Sequence, residues 1–134
     1  MVDDELDLAI ARYSARGSGG GHGRVVRVAR QGIHRRTGWR PEVPLSGIRA
    51  MTADAYRAAY PLAAGWGVAT AMTIDACSAG LRVGEVATGL THRATGTDVW
   101  ARVHRGRQYL DARRALLHRP AGVRVPASVV PARC

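Results

Sequence analysis

Lysine, asparagine and phenylalanine are absent from this 134-residue chain, and acids are scarce beyond its seventh position. Those three residues share AT-rich codons, whereas arginine, alanine and glycine codons are GC-rich. All twenty basic residues are arginine, set against ten acids, so nucleotide bias accounts for much of the formal charge of +10. The excess is weak evidence for a selected polyanionic partner, although a field of that sign attracts phosphates, nucleic acid and anionic membranes. Cysteine is also scarce: Cys77 and Cys134 have neither CxxC spacing nor paired histidines, which argues against a zinc site or a disulfide framework and for a reducing cytoplasm. No apolar run approaches the roughly 18 residues of a membrane span. The start carries Asp3, Asp4, Glu5 and Asp7 where a secretory signal would carry basic residues, so neither a signal peptide nor a spanning helix is expected, and the segment from Asp3 to Asp7 is expected to be a frayed acidic terminus. The length suits one domain with one modest core.

The apolar run from Leu6 to Ala11 is short and flanked by charge, which favours a buried strand. Glycines dominate residues 16–23 and predict a connector without regular structure. From Arg24 to Arg36 the spacing of Val26, Ala29 and Ile33 predicts an amphipathic helix that ends near Gly38. Pro41 and Pro44 hold the next segment extended. Thr52 is placed to cap a helix from Ala53 to about Tyr60, stopped by Pro61.

The organising stretch is Gly65 to Asp98. Val68 to Ala79 are apolar on nearly every side, as in a helix buried against a sheet, with Asp75 as the only charge. Gly80 suits the left-handed residue that ends such a helix, and Leu81, Val83 and Val86 with their polar neighbours predict a half-buried strand. In layered α/β units binding groups collect beyond the carboxyl ends of strands, where this chain carries Thr91-His92-Arg93-Ala94-Thr95-Gly96. Arg93 there has the planar fork suited to phosphate. His92 can serve as a base or metal ligand, although a lone histidine is more often a hydrogen-bonded structural residue. Ser46 and Arg49, three apart on a tight turn, can reach one anion. Asp75 must find a cation, Arg49 or Arg82 being candidates, or face a cavity as a functional acid. A long helix is predicted from Val99 to Leu117, capped by Thr97, with Val99, Val103, Gly106, Leu110 and Leu117 as its buried line and close packing at Gly106. The tail, residues 118–134, is expected to be loosely ordered.

The ordered set Pro44-Leu45-Ser46-Gly47-Ile48-Arg49-Ala50, Gly65-Trp66-Gly67-Val68, Thr73-Ile74-Asp75-Ala76, Ala79-Gly80-Leu81-Arg82-Val83, Glu85-Val86, His92-Arg93-Ala94-Thr95-Gly96 and His104-Arg105-Gly106-Arg107-Gln108 resembles the C-terminal half of a family 2 glycosyltransferase. The bacterial polyprenyl-phosphate and dolichyl-phosphate sugar synthases are the nearest in character. The resemblance implies a partial GT-A-like α/β layered sheet with flanking helices, over residues 1–117, in which the acceptor-side portion is present and the N-terminal nucleotide-binding half is missing. It implies a donor that is a nucleotide sugar, an acceptor that bears a phosphate, lipid-linked or small, and Ser46, Gly47, Arg49, His92 and Arg93 as acceptor or phosphate contacts. Asp75 stands where such enzymes carry acidic catalytic residues, whereas Ala69 occupies the place of the glutamate expected in G-x-G-x-E, and Ile48 replaces the usual glutamine or phenylalanine. The family's divalent metal, Mg or Mn, is held by a DxD in the half not seen here, so no cofactor or metal ligand is expected in this chain and the segment alone is expected to be inactive.

A second reading from a different class is a basic module that binds nucleic acid without sequence specificity. Few aromatics and no recognised RNA-binding or zinc pattern weigh against it. For the last helix, Trp100, Val103, Leu110 and Leu117 flanked by arginines define two further alternatives. The stripe either packs on the sheet, which is the expectation here, or rests peripherally on the inner face of an anionic membrane.

Overall fold

The computed structural model describes residues 6–13, 23–90 and 99–119, the side chains of 99–102 excepted. The acids at 3–5, the glycine connector 16–22, Thr97, the His92 and Arg93 turn and the tail from 120 lie outside the described residues.

A central strand, β1 (Leu8–Arg12), pairs antiparallel with β2 (Arg49–Met51) and parallel with β3 (Val83–Ala87), giving the order β2-β1-β3. The chain is therefore a small α/β domain with a mixed sheet, as expected at that coarser level. Leu8, Ile10 and Val83 share one sheet face and are fully buried there against Ala55, Ala59, Met72, Ala76 and Cys77. Burial of this kind, worth roughly 1.5–3 kcal/mol for each large side chain, makes a strand of the short alanine-containing run.

Among the described residues four helices accompany the sheet: α1 (Arg24–Thr37), α2 (Ala53–Ala59), α3 (Val68–Ser78) and α4 (Val99–Leu117). The Thr52 hydroxyl accepts from Ala55 N at 3.2 Å and caps α2 as its spacing predicts. A 3-10 turn over Gly65–Gly67 leads into α3, which is buried on nearly every side. Met72 and Ala76 face the sheet, while Ile74 joins Ile33 of α1 and Leu116 of α4 in a second cluster on the other side. Gly80 ends the unit with φ of 75°, and the bonds Gly80 N to Cys77 O and Leu81 N to Ala76 O satisfy carbonyls that the helix leaves open.

Three expectations fail in detail. In β3, Val83 and Val86 are three residues apart and so cannot share a face; Glu85, not Val86, lies beside Val83 on the buried side. In α4, Val103, Leu110 and Leu117 are exposed, and among the described side chains of this helix the buried positions are Ala112, Ala115 and Leu116. Small residues on one helix or the other let α4 approach its neighbours closely: a Cβ on Gly67 would lie 2.6 Å from Asp111 O and 2.9 Å from the Ala115 Cβ, and one on Gly32 would collide with Leu116. Gly106, by contrast, has open space around it. Thirdly, Asp7 is no part of a frayed terminus. Its carboxylate accepts from Arg82 N at 2.9 Å and pairs with the Arg82 side chain, pinning the start of β3 to β1.

Candidate functional site

β1 and β3 run parallel and end together, and β2 begins beside them because it runs the other way. Into that edge fold the segment 39–48, which turns at Pro44 and Leu45 with Ser46 N donating to Val43 O, and residues 88–90 after β3. The register sets its chemistry. Ile10 pairs with Arg49 on one side and with Glu85 on the other, so three side chains of one face form a row, cation and anion flanking an apolar residue.

Each charge in the row is answered by several groups. Glu85 is only 6 % exposed, and its carboxylate accepts from Glu42 N at 3.0 Å and Val43 N at 2.7 Å. Arg49 donates from Nε to Ser46 O (2.9 Å), from Nη1 to Thr73 Oγ1 (2.9 Å) and from Nη2 to Pro44 O (3.2 Å). Burial pulls its pKa down to about 10, with the nearby Glu85 opposing that change. Ser46, 5 % exposed, donates its hydroxyl to Ala11 O at 2.8 Å. Arg30 fastens the same segment from α1, donating to Pro41 O and Glu42 O at 2.8 and 2.7 Å. The result is a loop locked from below. Gly47 has open space where a side chain would be, and Ile48 and Leu90 stand 49 % and 48 % exposed.

Of the residues singled out by sequence, the structure thus brings Ser46, Gly47 and Arg49 together at the carboxyl edge. His92 and Arg93 follow Leu90 by two and three residues and lie outside the described residues. Asp75 is elsewhere. It is two positions from Thr73, about 200° around α3, and both of its oxygens accept from Arg119, at 2.9 and 2.7 Å. Its partner is neither Arg49 nor Arg82. Beside the pair is an open pocket of about 290 Å³, lined by Ala63, Ala64, Asp111, Arg114, His118 and Arg119. Asp111 accepts from Trp66 N at 3.2 Å and ties the glycine turn to α4. Arg36 caps the end of α4, donating to Leu116 O and Arg119 O at 2.6 and 3.0 Å. Much of the arginine content therefore bonds to the chain's own carbonyls and carboxylates.

Glu85 and Thr73 were missed as site residues. Parity would have found Glu85, since an acid two residues from Val83 shares its buried face. Arg119 was not recoverable, because it lies beyond the helix end and 44 residues from its partner. Among the described residues no three His, Cys, Asp or Glu side chains converge where a metal could be held. No helix of the described residues is long and apolar enough to cross a membrane. Compared with protein-family models, curated proteins and solved structures, the chain matches none.

Proposed function

We propose that this chain is the acceptor-side portion of a family 2-like glycosyltransferase of GT-A type, and that it binds a phosphate-bearing acceptor at the carboxyl edge of its sheet. The ordered motif set from Pro44 to Gln108 carries the reading. The clustering of Ser46, Gly47 and Arg49 at the edge where layered α/β proteins bind ligands supports it. Within the proposal, Ser46 and Arg49 are positioning residues. The Ser46 hydroxyl and three of the five Arg49 N–H groups are engaged by Ala11, Pro44, Ser46 and Thr73, and what the two residues hold toward a ligand is the Gly47–Ile48 backbone. Arg93 supplies the phosphate contact, with His92 beside it. Asp75 is a poor base in this arrangement because Arg119 occupies both of its oxygens. Transfer needs a donor-binding portion that the motif set does not include.

Calorimetric titration with a short-chain prenyl phosphate, against the matching prenyl alcohol, tests the reading. The phosphate binds and the alcohol does not, and Arg93→Gln weakens binding about tenfold, the loss of one charge-assisted contact. Equal silence from both ligands contradicts the proposal. Nucleotide sugars with Mn²⁺ or Mg²⁺ give no tight binding. A micromolar, metal-dependent signal would place a donor site within this chain.

A further inference from the structure

We propose that the outward face of α4 is a docking surface for an anionic lipid bilayer. Val103, Leu110 and Leu117 are spaced by seven residues, so they lie within about 40° of one another around the helix. They are 51 %, 54 % and 74 % exposed. Ala112, Ala115 and Leu116 bury the opposite side against the rest of the domain. The apolar line therefore points straight away from the core, and the packing on the sheet expected from sequence is not what these residues do.

Charge selects the partner. Arg107 and Arg114 flank the line on one side and Arg113 on the other, all exposed. The single acid of α4, Asp111, is turned inward to Trp66 N. Among the described residues no carboxylate forms an ion pair with Arg107, Arg113 or Arg114. An apolar stripe edged on both sides by exposed arginines matches a surface with acyl chains below and phosphates around it. A second copy seated on the same stripe would set arginines against arginines. A nucleic-acid backbone would engage the arginines and leave the apolar line in water. The inference is independent of the glycosyl-transfer reading.

Flotation of the full chain with vesicles of phosphatidylcholine, alone or mixed with phosphatidylglycerol, tests it. The chain floats with the anionic vesicles only, and salt weakens the association. Val103→Ser, Leu110→Ser and Leu117→Ser together lower partition roughly tenfold or more, with an unchanged circular dichroism spectrum. Leu117→Ser alone, at the most exposed of the three positions, gives a smaller loss in the same direction. Neutralising Arg107, Arg113 and Arg114 to glutamine costs about fivefold per residue. The proposal is overturned by no flotation, by equal flotation with neutral vesicles, or by serine variants that float as well as the parent. It is equally overturned if the chain is a dimer that the serine substitutions make monomeric, or if duplex DNA binds as tightly as the anionic vesicles and is indifferent to the serines.

Discussion

The two sides of α3 hold buried charge in different ways. Toward the sheet, Glu85 and Arg49 belong to a network in which two backbone amides, two carbonyls and the Thr73 hydroxyl answer them. Away from it, Asp75 and Arg119 answer chiefly each other, with side chains 20 % and 16 % exposed beside an open pocket. The first arrangement shapes the loop that carries the candidate ligand edge. The second fastens the last turn of α4. A charge in an apolar helix is therefore a poorer guide to a site than a charge on the buried parity of a strand, because the strand's register fixes what else shares its row.

The largest break in this comparison comes from Glu85→Ala. It strands the Glu42 and Val43 amides and leaves Arg49 without its counter-charge, so chemical denaturation should show a loss of about 3–5 kcal/mol. Gly67→Ala acts on the other side. The new methyl meets backbone of α4, which must shift, for a loss of about 1–3 kcal/mol. Asp75→Asn removes the charge of a part-buried pair that keeps a route to water and should cost about 1 kcal/mol. A value for Asp75→Asn equal to that for Glu85→Ala would erase the distinction.

The effect that is smallest near neutral pH concerns Cys77, which packs between α3 and the sheet. Burial raises its pKa from 9.0 to about 12. Above pH 9 the unfolded thiol ionises while the native one keeps its proton, so its contribution to stability falls as pH rises through that window and is whole below it. In a Cys134→Ser background, thiol reagents at pH 8 should label Cys77 only as fast as the domain opens. Rapid labelling under native conditions would contradict its burial.

The bounds of α1, α2, α3 and α4 were legible because local chemistry writes them: Thr52 as a cap, Gly38 and Gly80 as stops, and a 19-residue stretch without proline for α4; β2, three residues long and made by pairing with β1, was not. The inner face of α4 was not legible. Leucine and valine marked one line by hydrophobicity, but close approach to Gly67 favours alanine at 115 and the missing side chain of Gly32 makes room for Leu116, requirements set by neighbours distant in sequence. The site was legible in part for the same reason. Ser46 and Arg49 are close in the chain, whereas Glu85 and Thr73 reach them only through strand pairing and helix packing.

The most direct measurement is an amide NMR titration of the full chain with a short-chain prenyl phosphate. The account predicts shifts at Gly47, Ile48 and Leu90 that saturate together, with Arg114 and His118 in the pocket beside Asp75 unmoved. Saturating shifts at Arg114 and His118 with a silent carboxyl edge would contradict it.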